Sequence, residues 1–190
     1  MRVITGSARG RRLKELEGME TRPTTDRVKE GLFSALQFEI EGRRVLDLFA
    51  GTGQLGIEAL SRGASSCVFL DRRADAVKLI RENLKITGLA DRARVVAGDS
   101  MEYLSAPREK FDLIFLDPPY AAGLLEPALA HIARFDILAP HGIIAAEAPA
   151  EKTLPMLAEP YRVSRIYRYG KIGLTIYRRA GDKENEESAT

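Results

Sequence analysis

Cysteine, tryptophan and long apolar runs are scarce or missing in this chain of 190 residues, which has one cysteine, no tryptophan and two histidines. Cys67 has no internal disulfide partner, and its apolar surroundings predict a small buried side chain. His131 and His141 show no metal-ligand spacing with each other or with Cys67, so we expect no metal site. No apolar run approaches the ~20 residues that span a bilayer, and the first residues lack a signal peptide's apolar core. These absences predict a cytoplasmic protein with no membrane partner.

Charge is nearly balanced overall but is distributed unevenly along the chain. The net charge is +2, from 29 Lys and Arg against 27 Asp and Glu. The first 14 residues contain no acid and five basic side chains: Arg2, Arg9, Arg11, Arg12 and Lys14. Clustered cations of this kind predict a phosphate-binding arm, with a solvated charged surface as the alternative. The segment 180–190 is rich in acidic residues and lacks large apolar side chains, a composition that predicts a disordered tail.

Strand and helix patterns alternate through the middle of the chain. Residues 1–21 read as two short strands around a turn, which predicts a small projecting β-hairpin as the basic arm. From Arg44 onward, short apolar strands alternate with amphipathic helices, and the last two strands join near Gly170. The pattern predicts an α/β domain over residues 22–179 with a doubly wound, Rossmann-like and mostly parallel sheet. An antiparallel C-terminal hairpin strand completes the predicted sheet.

The first strand of this region is followed by a glycine loop. Gly51 to Gly56 reads GTGQLG and matches the G-x-G-x-x-G dinucleotide fingerprint. Glycines let a backbone approach a ligand closely, and the next helix points its N–H groups at the same place. Asp47, just upstream, would repel a pyrophosphate and would suit an ammonium or a sulfonium group. A tight turn without a ligand remains the alternative.

The second and third strands each end in a carboxylate. Asp71 can accept hydrogen bonds from both hydroxyls of a ribose, which fits nicotinamide and adenosyl ligands equally, or it is a surface acid. Asp99 can accept a hydrogen bond from an adenine amino group. The backbone N–H of Ser100 or Met101 would then donate to a ring nitrogen. Asp99 as the cap of a short helix is the competing interpretation.

The fourth strand ends in Asp117-Pro118-Pro119-Tyr120, the most specific motif of the chain. Two prolines fix φ and remove two donors, so the loop is held extended. It then presents a carboxylate, a bare carbonyl and a flat ring. These groups form a receptor for a planar base with an exocyclic NH₂, whereas the alternative is a simple strand-ending turn.

These motifs resemble a known class of enzymes. The stretch DLFAGTGQLGIEAL with the downstream DPPY is similar to class I S-adenosylmethionine-dependent methyltransferases that act on amino groups. More narrowly, RVITGSARGRRL and RPTTDRVKEGLFSAL resemble the RsmD family of bacterial 16S rRNA guanine-N2 methyltransferases, and the similarity extends to about Arg179. The resemblance implies S-adenosyl-L-methionine as cofactor and 16S rRNA as partner, naked or in a small-subunit assembly particle. We expect a monomer.

The resemblance also implies roles for particular residues. The implied catalytic residues are Asp117, Pro118, Pro119 and Tyr120. The implied cofactor-binding residues are Asp47, Phe49, Ala50, Gly51, Gly53, Leu55, Asp71, Arg72, Asp99, Ser100 and Met101. The expected RNA-binding residues are Arg2, Arg9, Arg11, Arg12, Lys14, Arg22, Thr24 and Arg27. The loop at residues 22–25 has a second interpretation, closure over the cofactor.

Three other functions compete with this one. A DNA or RNA adenine-N6 methyltransferase would keep the chemistry, although the chain offers no second domain to read a DNA sequence. A nicotinamide-dependent oxidoreductase would share the glycine loop but has no use for Asp47 or for the diproline motif. A non-catalytic RNA-binding assembly factor would need only the basic arm.

Overall fold

A seven-stranded sheet forms the centre of the protein. The computed structural model describes residues 1–16, 26–106 and 109–179. The strands are β1 (Arg44–Asp47), β2 (Ser66–Asp71), β3 (Ala93–Ala97), β4 (Phe111–Leu116), β5 (Leu138–Pro149), β6 (Tyr161–Tyr169) and β7 (Ile172–Arg179). The helices are α1 (Asp26–Ala35), α2 (Gln54–Ser61), α3 (Ala74–Thr87), α4 (Ser100–Ser105) and α5 (Leu125–Arg134). Single-turn 3₁₀ helices lie at Ala90–Arg92 and Tyr120–Ala122.

The strand order explains where a ligand can bind. The order is β3-β2-β1-β4-β5-β7-β6. The first five strands are parallel, and β7 runs antiparallel to both of its neighbours. The predicted doubly wound sheet with an antiparallel C-terminal hairpin is therefore confirmed. The order reverses between β1 and β4, so a crevice opens at the carboxyl ends of these strands.

Apolar side chains fill both faces of the sheet. One cluster contains Phe33 of α1 together with Phe69 and Phe115 of the sheet, all fully buried. The cluster on the other face includes Phe111 and Tyr177. Because helices must bury their apolar sides, α1, α2 and α3 cover the first face and α4 and α5 the second.

The glycine loop leads into a helix that packs unusually close to the sheet. A Cβ atom at Gly56 would lie 2.3 Å from Cε1 of Phe69 and 2.7 Å from Sγ of Cys67. Only glycine lets α2 approach β2 to this distance. Gly53 precedes the helix with φ 80, a left-handed conformation that glycine adopts without strain. The helix begins at Gln54, inside the glycine motif.

The basic arm differs from the projecting hairpin that the sequence predicts. A single antiparallel bridge joins Arg2 to Arg12. Val3 and Leu13 are buried, because the segment lies along α2 instead of extending into solvent. Apolar side chains alternating with the cations stabilise this packed position. The division into arm, domain and tail stays a prediction.

A buried ionic cluster holds the arm against the helices. Glu58 of α2 is fully buried and accepts hydrogen bonds from the backbone N–H groups of Ile4 (2.8 Å) and Thr5 (2.9 Å). Arg62 donates to Glu58 at 2.9 Å. The buried ammonium of Lys29 lies 3.9 Å from the same carboxylate and donates to the carbonyl of Arg2 at 2.6 Å. Each buried charge has partners, which offsets its desolvation.

Two groups of predictions lie outside the described residues. They are the RNA contacts of Arg22 and Thr24, with the loop at residues 22–25, and the acidic tail at residues 180–190. Among the residues that are described, no helix has the length and apolarity to cross a membrane.

Candidate active site

A cavity of about 470 Å³ opens at the carboxyl ends of β1, β2 and β4, at the reversal of strand order. Its volume lies within the range of typical small-molecule sites. The cavity brings together all the predicted cofactor and catalytic residues except Gly53 and Met101. Those that line it are Asp47, Phe49, Ala50, Gly51, Leu55, Asp71, Arg72, Asp99, Ser100, Asp117, Pro118, Pro119 and Tyr120.

The glycine loop forms one wall of the cavity. Gly51 has φ 55, and a Cβ atom built there would meet nothing within 4 Å. Its N–H donates to Oδ2 of Asp71 at 2.9 Å, and Arg73 N–H donates to Oδ1 at 2.9 Å. Each carboxylate oxygen keeps a second lone pair. Asp71 therefore fixes the loop and can still accept hydrogen bonds from a ligand.

Asp47 is a buried carboxylate at the end of β1, with an exposed fraction of 2%. The N–H of Gly56 donates to its Oδ2 at 3.0 Å. Burial raises the pKa of Asp47 to about 7, the Gly56 hydrogen bond opposes this rise, and the charges of Asp117 and Asp71 add to it. A positively charged ligand group would reverse the rise by favouring the carboxylate.

Glu147 is a site residue that sequence reasoning missed. It lies near the end of β5, is 7% exposed and lines the cavity. The hydroxyl of Tyr120 donates to its Oε1 at 3.0 Å. Burial, with the charge of Asp117, raises the pKa of Glu147 to about 8, while the Tyr120 hydrogen bond opposes the rise. The available signal was the acid within the apolar strand GIIAAEA.

Gln54 is the second missed residue. It lines the cavity at the start of α2, and its amide Oε1 is buried without a hydrogen-bond partner in the described part of the chain. Leaving a buried acceptor unpaired costs about 1–3 kcal/mol. Its place inside the GTGQLG motif could have drawn attention to it.

Asp99 has the structural role that the sequence left open as an alternative. Its Oδ1 accepts hydrogen bonds from the N–H groups of Met101 (2.8 Å) and Glu102 (3.2 Å), so Asp99 caps α4. The N–H of Met101 is therefore engaged within the protein, so Ser100 is the remaining candidate of the two predicted donors to a ring nitrogen. Ser100 keeps its place in the cavity wall, and the exposed Asp99 retains unused lone pairs.

The arm extends from the cavity rim to the opposite edge of the sheet. Met1 and Leu16 line the cavity, and Lys14 nearby pairs with Glu82 at 2.8 Å. The turn of the arm lies at the far end of α2, where Ser7 N–H donates to the Ser61 carbonyl at 2.8 Å. The predicted RNA contacts with exposed side chains are Arg2, Arg9, Arg11, Arg12, Lys14 and, on α1, Arg27. The cations near the turn are therefore distant from the cavity.

The raised pKa values predict how stability depends on pH. In the unfolded chain these carboxyls have ordinary pKa values of 3.8 for Asp47 and 4.5 for Glu147, against about 7 and about 8 when folded. At pH values between the unfolded and the folded pKa, the unfolded state therefore binds fewer protons than the folded state. The free energy of unfolding then falls as pH rises from about 5 to about 8. Urea titrations across this range measure the trend. Carboxyls with lowered pKa, such as Asp112 and Asp136, affect only lower pH.

Glu147→Gln provides the control for this prediction. The amide cannot titrate but still accepts a hydrogen bond from Tyr120, so the decline in stability should be shallower. A pH dependence equal to the wild type would contradict the assignment to Glu147.

The comparison with solved structures defines the class of protein. An Escherichia coli structure, yhhF, provisionally named as a methyltransferase, matches with a TM-score of 0.86 and 33% sequence identity over 95% of this chain and 98% of the other. The fold is therefore that of a Rossmann-like methyltransferase.

The family follows from the sequence comparisons. The chain belongs to the family described as conserved hypothetical protein 95, whose profile matches residues 1–178, and the resemblance to RsmD proteins is confirmed. It is 43% identical to a Bacillus subtilis protein provisionally named as rRNA methyltransferase YlbH, over 95% of this chain and 100% of that protein. It is 36% identical to ribosomal RNA small subunit methyltransferase D of Escherichia coli, over 98% of this chain and 93% of that protein.

Proposed function

We propose that this protein is an S-adenosylmethionine-dependent methyltransferase that modifies the exocyclic N2 amine of a flipped guanine in 16S rRNA. The observation that carries the proposal is the placement of Asp117-Pro118-Pro119-Tyr120 in the wall of an acidic cavity at the strand ends. The relatives named as small-subunit rRNA methyltransferases support the rRNA substrate.

The cavity offers charged and polar groups that suit the cofactor. Asp47 is a buried acceptor suited to a cationic group, and Asp71 offers carboxylate oxygens to ribose hydroxyls. The open space at Gly51 would admit a ligand against the backbone, and the unpaired amide oxygen of Gln54 would accept a donor. Ser100 lines the end of the cavity where adenine would lie. The bound cofactor would supply a strongly electrophilic methyl group that needs no further activation.

Asp117 and the carbonyl of Pro118 act on the amine. The nitrogen lone pair of a guanine amine is delocalised into the ring, so the amine is a weak nucleophile. Hydrogen bonds from the NH₂ group to these two acceptors favour a pyramidal nitrogen and release the lone pair. They strengthen as positive charge develops on the nitrogen, and so they stabilise the transition state more than the ground state. Asp117 first orients the amine and then accepts its proton, or the proton passes to water.

Tyr120 and Glu147 complete the base site. Flipping the base out of its stack costs a few kcal/mol, and stacking on the ring of Tyr120 would recover ~1–3 kcal/mol. The hydrogen bond to Glu147 holds that ring in place. Guanine presents two adjacent donor groups, N1–H and the N2 amine, whereas adenine presents an acceptor beside its amine. Asp117 and Glu147 lie in one cavity, and Glu147, with a pKa of about 8, keeps a carbonyl acceptor oxygen when it is protonated. Two neighbouring acceptors favour guanine.

The assignment to a particular base can be tested directly. Mass spectrometry of 16S rRNA from cells with and without the protein should reveal one N2-methylguanine that depends on it. Transfer of label from S-adenosylmethionine should reach 16S rRNA and not duplex DNA. An N6-methyladenine in the same comparison would overturn the guanine assignment while leaving the methyltransferase class intact.

The setting of the reaction is also proposed. Arm and cavity belong to one chain, which supports a monomer. The cytoplasm as location and a reaction without a metal ion stay predictions. The substrate is 16S rRNA, either naked or within a small-subunit assembly particle. Assays with both substrates distinguish these two cases.

A further inference from the structure

The β6–β7 hairpin is rich in basic residues and lies outside the cavity. From Tyr161 to Ala180 the chain has six basic residues and no acidic residue. Two of them stabilise the fold, because Arg178 pairs with Glu39 and Arg179 pairs with Asp136. Arg162 and Arg165 of β6 also have partners within the protein. The remaining two, Arg168 at the end of β6 and Lys171 in the turn, are exposed, and we call them the hairpin track.

The hairpin track lies at the same end of the sheet as the cavity. β6 is the outermost strand of the sheet, and β7 runs antiparallel to β5 with Ile172 opposite Pro149. The N–H of Ala150 donates to the carbonyl of Lys171 at 2.9 Å. The turn therefore lies at the carboxyl end of β5, the strand that carries Glu147 into the cavity. A polynucleotide with one base in the cavity would pass close to this turn.

The hairpin is firmly packed against the rest of the protein. The rings of Tyr167 and Tyr169 stack with centroids 6.4 Å apart and planes inclined by 19°. A Cβ atom at Gly31 of α1 would lie only 2.3 Å from the Tyr169 ring, so this ring lies directly against α1. Arg168 and Lys171 are exposed on this supported hairpin. They can meet phosphates without first ordering a flexible segment.

We propose that the hairpin track binds the phosphate backbone of the RNA next to the flipped base, an inference that rests on the proposed function. Its charge matches a polyanion, and its turn lies at the edge of the sheet where the base enters. The basic residues at the turn of the arm cannot reach this edge, because that turn lies at the far end of α2. The competing explanation is that cations on an edge strand only prevent strand pairing between molecules.

The test compares two double variants with equal loss of charge. Arg168→Gln with Lys171→Gln removes two cations of the hairpin track. Lys110→Gln with Arg134→Gln is the control, because these residues lie at the amino end of β4 and the carboxyl end of α5, away from the cavity. Binding of a 16S rRNA transcript is measured as a function of salt, and methylation kinetics are measured on the same RNA.

The hairpin variant should lower the magnitude of the slope of log K against log salt by ~1.4–1.8, the value for two phosphate contacts. Its KM for RNA should rise about tenfold or more with kcat unchanged, while the control matches the wild type. Equal slopes for the wild type and both variants would overturn the inference. If the hairpin variant also self-associates, the cations serve to prevent strand pairing between molecules. Absence of methylation by the wild type would instead contradict the proposed function.

Discussion

Asp117→Ala is expected to lower the rate of methyl transfer by ~10²–10³-fold, the effect of removing one hydrogen-bonding group that acts mainly in the transition state. Alanine leaves the amine without its charged acceptor, so the nitrogen lone pair stays delocalised in the ring. The arm and the hairpin are unchanged, and RNA binding should stay close to the wild-type value. The cofactor affinity should change little, because Asp47 and Asp71 remain in place.

Single-turnover methylation and RNA-binding measurements on the same preparations check this prediction. Asp112→Ala is a matched control, since Asp112 lies near the start of β4, the strand that Asp117 follows, and pairs with Arg44 at 3.0 Å. It should retain the wild-type rate. Normal methylation by Asp117→Ala would refute the mechanism, and loss of RNA binding together with methylation would indicate a structural role.

Asp47→Asn is expected to weaken the binding of S-adenosylmethionine about tenfold to a hundredfold. This is the range for losing a hydrogen bond to a charged group, ~1.5–3 kcal/mol. Asparagine has the same shape and still accepts the hydrogen bond that Gly56 donates to Asp47. The fold should therefore persist. S-adenosylhomocysteine keeps the ammonium but lacks the sulfonium, so equal losses for both ligands would place Asp47 at the ammonium.

The same site predicts a pH dependence of cofactor binding. The pKa of Asp47 is about 7 in the free protein. A cationic ligand favours the charged carboxylate, so binding releases a proton. The affinity therefore increases as the pH rises from about 6 to about 8. Calorimetry at these pH values should show this trend in the wild type and a smaller one in Asp47→Asn. Unaltered affinity in the variant would remove Asp47 from the cofactor site.

Much of the architecture could be predicted from local patterns. Short apolar strands that alternate with amphipathic helices are sufficient to predict a parallel sheet covered on both faces. The spacing of apolar residues distinguishes strands from helices, and each needs a partner surface to bury its apolar side. Residues at or directly after the end of a strand, such as Asp47, Asp71 and Asp117, could also be predicted to meet. The carboxyl ends of parallel strands come together at one edge whatever their separation in the chain.

Only the tertiary structure decided the features that depend on which neighbours a side chain meets. Glu147 lies within a strand, and its entry into the cavity depends on the register of β5 with β4 and on the hydroxyl of Tyr120. The charges of the arm are visible in its sequence, but its position along α2 depends on the buried Glu58. Sequence by itself determined the order of elements and the motifs at strand ends, since both arise from contacts close along the chain. Long-range packing decided how a carboxylate was desolvated, which surface faced the cavity, and where the cations lay.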